Sequence, residues 1–148
     1  MINELTIIEK MEKTIEDNIN TYIEGDVPYL SAANVTIDFP DVDQMPRDVM
    51  IYLHPNYAEY ENLATTNDRS VFTVAVFLLC KRDTRQSLTK KTFVYFNALY
   101  ETLRRHMELE GTVDFSRVTN AEFYPAIDLN KNVQGAEVSV ALEYTKDF

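Results

Sequence analysis

The sequence has few of the residues on which common catalytic and ligand-binding motifs depend. Its 148 residues include 3 glycines, 1 cysteine, 2 histidines and no tryptophan. None of the glycine-rich patterns that bind phosphates or expose a nucleophilic serine occurs. The single cysteine, Cys80, cannot form an internal disulfide, and it ends a strongly apolar run. We therefore expect an inert thiol in the core.

The histidines and one acidic loop give only weak signals for a metal or acid–base site. His54 and His106 lie outside any spacing that is typical of a zinc site. Asp38, Asp41 and Asp43 form a local carboxylate cluster, but it lacks the glycine and the distal glutamate of an EF-hand. A turn-forming loop is the favoured interpretation, and we expect no enzyme, cofactor or metal. The alternative is an enzyme that uses these aspartates, or the cysteine with a histidine.

The chain also has little positive charge, with 14 lysines and arginines against 24 acidic residues and a formal net charge of −10. This balance argues against a nucleic-acid binder, because phosphate contacts require lysine and arginine. It also argues against binding to an anionic membrane surface. The sequence shows no basic leader and no run of 18 apolar residues. We expect assembly in the cytoplasm, without a membrane partner.

The charge is unevenly distributed. Residues 1–26 hold seven acids against two lysines, whereas residues 81–106 hold seven bases against two acids. Acidic and basic faces can attract copies of one protein head to tail, although two solvated helix faces are the alternative. The acidic candidates for such an interface are Glu9, Glu12 and Glu16. The basic candidates are Lys81, Arg82, Arg85, Lys90 and Lys91.

The first half of the chain predicts one helix and two strands. Apolar residues at spacings of three and four predict an amphipathic helix over residues 4–23, with Gly25 as its stop. Strands are predicted at 34–39 and at 49–54, the second ended by Pro55. Residues 57–70 are compatible with a polar strand, a short helix or an exposed loop. The predicted apolar positions of the helix are Leu5, Ile8, Met11, Ile15, Ile19 and Tyr22.

The second half predicts a central strand, a long helix and two further strands. Residues 71–80 are apolar on both alternating sets, which is typical of a strand covered on both faces. A helix is predicted over 88–110, ended by Gly111, and strands at 118–125 and 136–144. In the last strand Val138, Val140, Leu142 and Tyr144 face one way, and Glu137, Ser139, Ala141 and Glu143 the other. The helix stripe is Phe93, Phe96, Leu99 or Tyr100, Leu103 and Met107.

This order of elements predicts an α+β fold. We expect a mostly antiparallel sheet of about 4–5 strands, with the N-terminal helix and the long helix packed on one face. The second face of the central strand also requires a cover. Another copy of the chain, a swapped strand or a second layer within the domain would supply it.

Several segments together resemble the tail terminator (tail-completion) proteins of long-tailed bacteriophages. They are the acidic first helix, the apolar strand ending in Lys-Arg-Asp, the helix TFVYFNALYETL and the stretch VTNAEFYPAIDLNKNVQGAEVSVALEY at residues 118–144. The resemblance is most specific in that last stretch and covers the rest of the chain loosely. It implies a single domain over residues 1–148 and a structural virion protein without catalytic activity.

The resemblance also implies partners and a location. Such proteins close into a ring, usually of six copies, on the head-proximal end of the tail tube. The ring ends tube polymerisation and gives the head-side connector a docking surface, while DNA passes through without specific binding. We expect the loop before the last strand to contact the tube or the connector, through Asn130, Lys131, Asn132 and Gln134. The alternatives are another neck or tail component, or a small acidic cytoplasmic binding protein.

Overall fold

The computed structural model describes residues 3–64, 67–83, 87–125 and 132–147. Within these residues the chain forms two α-helices and five strands, joined by short 3₁₀ turns. The elements are α1 (Glu4–Asn18), β1 (Val35–Ile37), β2 (Val49–Ala64), β3 (Asn67–Lys81), α2 (Leu88–Arg105), β4 (Phe115–Tyr124) and β5 (Val133–Asp147).

The strands form one sheet in the order β1-β2-β3-β5-β4. Only β1 and β2 are parallel; the other neighbours pair antiparallel. Both helices pack on one face, with α1 over β1 and β2, and α2 over β3, β5 and β4. The predicted α+β class, and the central position of the apolar strand, are confirmed.

The main core lies between the helices and the sheet. The predicted alternation of the last strand is confirmed, because Val138, Val140, Leu142 and Tyr144 are all buried in this core. Their neighbours across β3 are buried on the same side. These are Phe72, Val74, Val76, Leu78 and Cys80.

The second face of the sheet has a smaller cover from within the domain. Met50, Tyr52, Leu79 and Val133 form a separate buried cluster on this face. The loop after β1 supplies its lid through Val42 and Met45. Of the covers considered for the central strand, a second layer within the domain is therefore present at one end of the sheet.

Strand β2 is longer than the sequence predicts. Pro55 does not end it: the register shifts between Pro55 and Tyr57, and pairing with β3 then continues to Ala64. Proline is tolerated because β1 pairs only with residues 51–53 of β2, so beyond them β2 is an edge strand in the described chain. Of the three alternatives for residues 57–70, the polar strand is correct for 57–64 and 67–70, and residues 65–66 lie outside the described residues.

Helix α1 buries a stripe shifted from the predicted one. Leu5 is 63% exposed and Ile7 takes its place in the core, followed by Ile8, Met11 and Ile15. The helix then tightens into a 3₁₀ turn at Ile19–Tyr22. Gly25 follows with φ of 116°, a left-handed conformation that favours glycine, as the predicted stop requires.

Helix α2 ends at Arg105, five residues before the predicted end. The chain turns through two non-glycine residues with positive φ, Leu109 at 54° and Glu110 at 58°, so Gly111 belongs to the connection and not to the helix stop. Tyr95, which was not predicted in the stripe, is fully buried, and its hydroxyl donates to the Pro28 carbonyl at 2.7 Å. In the described residues, neither helix is long and apolar enough to cross a membrane.

Candidate interaction surfaces

The structure brings the basic turn and the polar loop together at one end of the sheet. Lys81 ends β3, and the N–H of Arg82 donates to the Asn132 carbonyl at 2.6 Å. The Thr89 hydroxyl donates to the Gln134 side chain at 3.0 Å. We call this region the strand-end surface. It comprises Lys81, Arg82, Lys90, Asn132 and Gln134, whereas the candidates Arg85, Asn130 and Lys131 lie outside the described residues.

Lys91 is not presented on the strand-end surface. Its residue is 3% exposed, its ammonium donates to the Lys81 carbonyl at 2.8 Å, and it lies 3.3 Å from the Asp83 carboxylate. This cation ties the start of α2 to the end of β3, because a buried charge requires such partners. Its contribution is to the fold of the turn.

The acidic candidates form one stripe on the outer flank of α1. Glu9, Glu12 and Glu16 follow spacings of three and four, which places them on the same side of a helix. Glu12 lies beside the backbone of Ile37 in β1. Partial burial and the charges of Glu16 and Glu9 raise the pKa of Glu12, against the effect of that backbone N–H. We call these three residues the acidic stripe.

Cations near the acidic stripe are engaged elsewhere. Lys13 pairs with Asp17 at 2.9 Å, and the ammonium of Lys10 donates to Thr112 at 2.7 Å on the other flank of α1. Within the described ranges no lysine or arginine lies at ion-pair distance from the stripe. Like charges at these spacings destabilise a helix by a few tenths of a kcal/mol per pair. Lys13 is also attracted to Glu16 beyond ion-pair distance, and the stripe can accept a further cation from another molecule.

An aromatic patch occupies the opposite side of the molecule, where α2 meets β4. The Phe123 ring centre lies 4.8 Å from that of Phe96 and 5.2 Å from that of Phe93. Tyr100 contacts Phe96 edge-on. Phe93 and Phe123 are 44% and 47% exposed, although the sequence placed Phe93 in the core stripe. Exposed apolar clusters of this kind mark interaction sites. We call these four rings the aromatic patch.

Both lateral edges of the sheet are open. β4 pairs with β5, and no described strand lies on its other side. Most β4 residues are exposed. On the far side of the sheet, β1 leaves the outer edge of β2 uncovered beyond residue 53. An open strand edge is a template for pairing with another chain.

The far end of β2 is held by the first turn of α1. The Glu4 carboxylate accepts a hydrogen bond from the Tyr60 hydroxyl and forms an ion pair with Lys146 at 3.0 Å. Tyr144 is buried beside it, and the charge of Glu4 raises the pKa of that phenol further than burial alone. Burial would raise the pKa of Glu4, but the hydrogen bonds from Tyr60 and Lys146, together with the nearby Tyr144 hydroxyl, lower it to about 2. We call these residues the Glu4 cluster.

The residues with catalytic potential have structural contacts. A carboxylate oxygen of Asp41 accepts from the Asp43 N–H at 3.0 Å, and one of Asp38 accepts from the Phe39 N–H at 2.7 Å, as in turn-forming loops. In the part of the chain that the structure describes, no group of three or more His, Cys, Asp or Glu residues is arranged to hold a metal. Burial raises the pKa of Cys80 to about 12, which keeps the thiol protonated.

The histidines also make contacts that need no catalytic role. His54 lies inside β2, and its ring meets Phe39 edge-on with 5.1 Å between ring centres. His106 follows the last turn of α2, and its Nε2 shares a 2.7 Å hydrogen bond with the Tyr22 hydroxyl. The two lie in separate parts of the fold.

Comparison with known proteins identifies a shared fold. No protein-family model and no curated protein matches the chain. Among solved structures, the chain matches the sheath/tube terminator of an extracellular contractile injection system, PVC, in its extended state. The TM-score is 0.50 and the sequence identity 9%; the match covers 100% of this chain and 58% of the terminator. The chain thus spans little more than half of that protein's length, and the similarity is one of fold.

Proposed function

We propose that this protein is the tail terminator of a phage tail or phage-tail-like particle. Copies close into a ring of six at the head-proximal end of the tail tube, end its polymerisation and offer the head-side connector a docking surface. The role is structural, with no covalent bond made or broken. The observation that carries the proposal is the pair of open, chemically unlike sheet edges, on a fold similar to that of a sheath/tube terminator.

The two edges provide what a ring of identical subunits requires. In a head-to-tail ring each copy presents one surface to its left neighbour and a different one to its right. Here the acidic stripe lies above β1 and the aromatic patch lies beside β4, at opposite ends of the strand order. Exposed ion pairs contribute about 0–1 kcal/mol each, so the aromatic rings are expected to supply most of the affinity.

If the lateral edges join the copies, the two ends of the sheet are the surfaces left to contact the tube and the connector. The strand-end surface presents Lys81, Arg82 and Lys90 at one end of the sheet. We assign this end to contact with the tube or the connector, together with the neighbouring loop. The net charge of −10 suits a ring through which DNA passes without binding.

Capping of tubes tests the proposal. The protein would be added to the polymerising tail-tube protein of the same particle, and tube lengths would be measured by negative-stain microscopy. We expect short tubes, each ended by a single-layer ring of this protein. Tubes of unchanged length without rings would contradict the terminator role, and long polymers of this protein alone would identify a tube protein instead.

A further inference from the structure

The two open edges of the sheet can pair with each other between copies. We propose that residues 115–117 of β4 in one copy lie antiparallel along residues 57–59 of β2 in the next copy, which sets Arg117 beside Tyr57 and within reach of Glu59. The inference rests on the proposed ring and names the strands that close it. The partner is a second copy of this chain.

The strand directions permit this pairing. β2 is antiparallel to β3, β3 to β5 and β5 to β4, so β4 runs opposite to β2. A rotation about an axis along the strands preserves these directions, and β4 of one copy then meets β2 of the next antiparallel. Antiparallel addition of a strand to an open edge is a common mode of recognition.

The uncovered lengths are compatible. The paired segment of β2 begins after its register shift, at Tyr57, and that of β4 begins at its first residue, Phe115. Three paired residues extend about 10 Å at ~3.3 Å per residue. β4 has its own register shift between Val118 and Asn120, and such a bulge bends a strand, so the rest of β4 can turn away before it reaches β1 beside residues 51–53. Strand pairing gives the exposed backbone groups of both edges partners.

Aromatic rings stand on both faces of each open edge. On the face away from the helices, Tyr57 of β2 is 54% exposed and Phe115 of β4 is 56% exposed. On the helix side, Tyr60 and Phe123 are about half exposed as well. Cross-strand aromatic pairs stabilise a sheet by roughly 0.2–1 kcal/mol each beyond alanine. In the proposed register Tyr57 and Phe115 are diagonal neighbours on one face, so the pairing buries two rings that the single copy leaves in water, whereas Tyr60 and Phe123 lie outside the paired segment.

The register of the sheet predicts which side chains meet. Paired residues form rows across the sheet, and Arg117 and Tyr57 are the two ends of one row on the face away from the helices. Copies in a closed ring lie at the same height along the ring axis. If the strands run along that axis, the Arg117 end of this row in one copy therefore meets the Tyr57 end of the same row in the next copy. Glu59 is the next residue on that face of β2. The full row is Tyr57, Thr73, Ala141 and Arg117.

The charges at this junction complement each other. Arg117 and Glu59 are exposed, and neither has an ion-pair partner among the described residues. A guanidinium can lie over a tyrosine ring and bind a carboxylate at the same time. The junction therefore offers Arg117 both contacts in the neighbouring copy.

Thiol cross-linking between copies tests the pairing. Tyr57→Cys and Arg117→Cys proteins would be mixed, assembled with or without the tail-tube protein, and oxidised. The native Cys80 is buried and does not compete. We expect a disulfide-linked pair in the mixture only, and a ladder of linked copies from the double variant. The matched control is Glu24→Cys, exposed beside the turn at Gly25, mixed with Tyr57→Cys; it should give background levels.

The outcomes separate this inference from the proposed function. Rings or tube capping without the Tyr57–Arg117 cross-link would overturn the edge pairing and leave the terminator role intact. Self-linking of Arg117→Cys alone would show a two-fold contact through β4 and would also overturn the pairing. Absence of any assembly, even with the tube protein, would refute both. As a second readout, Arg117→Glu and Glu59→Arg should each weaken association about tenfold, and their combination in one chain should restore it.

Discussion

The two lateral edges of the sheet are built from different chemistry. The β1–β2 edge lies under α1 and exposes carboxylates, from the acidic stripe and from Glu59 and Glu61. The β4 edge lies under α2 and exposes the aromatic patch and Arg117. A two-fold dimer joins a surface to itself, whereas a ring joins two different surfaces. The difference between the edges favours a ring.

The edges also differ in how much of their length is paired with another strand within one copy. β1 covers three residues of β2, while β4 has no described strand on its outer side. We call the β1–β2 edge the acidic edge and the β4 edge the aromatic edge. The acidic edge is held at its far end by the Glu4 cluster, and the aromatic edge is held by α2. Each edge can therefore be altered without removing the main core.

The largest effect is expected from breaking the aromatic edge with Phe123→Glu. A carboxylate there removes a ring from the proposed contact and repels the acidic edge of the neighbour. Central aromatic residues contribute 2 kcal/mol or more to interfaces, so association should weaken about 30-fold or more. Sedimentation velocity measures this, with Tyr29→Glu, at an exposed ring outside the aromatic patch, as the control. Undiminished association of a protein with native circular dichroism would count against the aromatic edge.

The second-largest effect tests whether the strand-end surface takes part in the contact between copies. Lys81→Glu with Arg82→Glu should leave the ring unchanged and weaken tube capping about tenfold, because about two surface ion pairs are lost. The sequence suggested instead that this turn pairs with the acidic stripe of a neighbour, which predicts a weaker ring. Light scattering of the ring and microscopy of tubes, with Lys13→Glu as the control, distinguish the two.

Glu4→Gln should loosen the end of the acidic edge. Charged hydrogen bonds to Tyr60 and the ion pair with Lys146 are lost, at a cost of about 1–2 kcal/mol in the free energy of unfolding. The pKa of Glu4 is about 2 in the fold against 4.5 ordinarily, so its contribution is present above pH 4.5 and disappears between pH 4.5 and 2.

Denaturant unfolding at several pH values measures this change. The difference between wild type and Glu4→Gln should shrink as the pH falls through that window. Glu24→Gln, at a residue that is exposed, serves as the control. A difference that stays constant from pH 7 to pH 2.5 would show that the charge of Glu4 is not the cause.

The smallest effect sharpens the role of the acidic stripe. Glu12→Gln removes repulsion from Glu16 and Glu9, so the single copy should gain a few tenths of a kcal/mol at pH 7. Because the pKa of Glu12 is raised, this gain should vanish at low pH, where the wild-type carboxyl is protonated. Thermal unfolding measures the gain and light scattering the ring. A more stable monomer with weaker assembly supports the account; stronger assembly contradicts it.

The sequence predicted best where one face of an element is buried and the other is wet. Strand β5 was recognised because its period of two follows the core. The outer half of β2 carries no such signal, since both of its faces are polar or aromatic at an open edge. Pro55 therefore looked like an end, although an edge strand tolerates it.

The candidate surfaces were predicted unevenly for similar reasons. Glu9, Glu12 and Glu16 follow helical spacing, so their common stripe was visible in the sequence. Phe93 also fits that spacing, and only the position of β4 shows that it stands outside the core. Lys91 stands among the basic interface candidates in the sequence, because its carbonyl partner at Lys81 becomes a neighbour only when the turn folds.

The most direct test of the proposal that the two unlike edges join is to mix two variants, each with one edge disabled. Phe123→Glu disables the β4 edge and Tyr57→Glu disables the β2 edge. The masses of each variant and of the mixture would be measured by light scattering, under the conditions in which the wild type is expected to form rings. The account predicts that each variant alone stays at 17.2 kDa and that the mixture stops at twice this mass, joined through the one intact pair of edges. A mixture that remains monomeric, or a single variant that dimerises by itself, would contradict it.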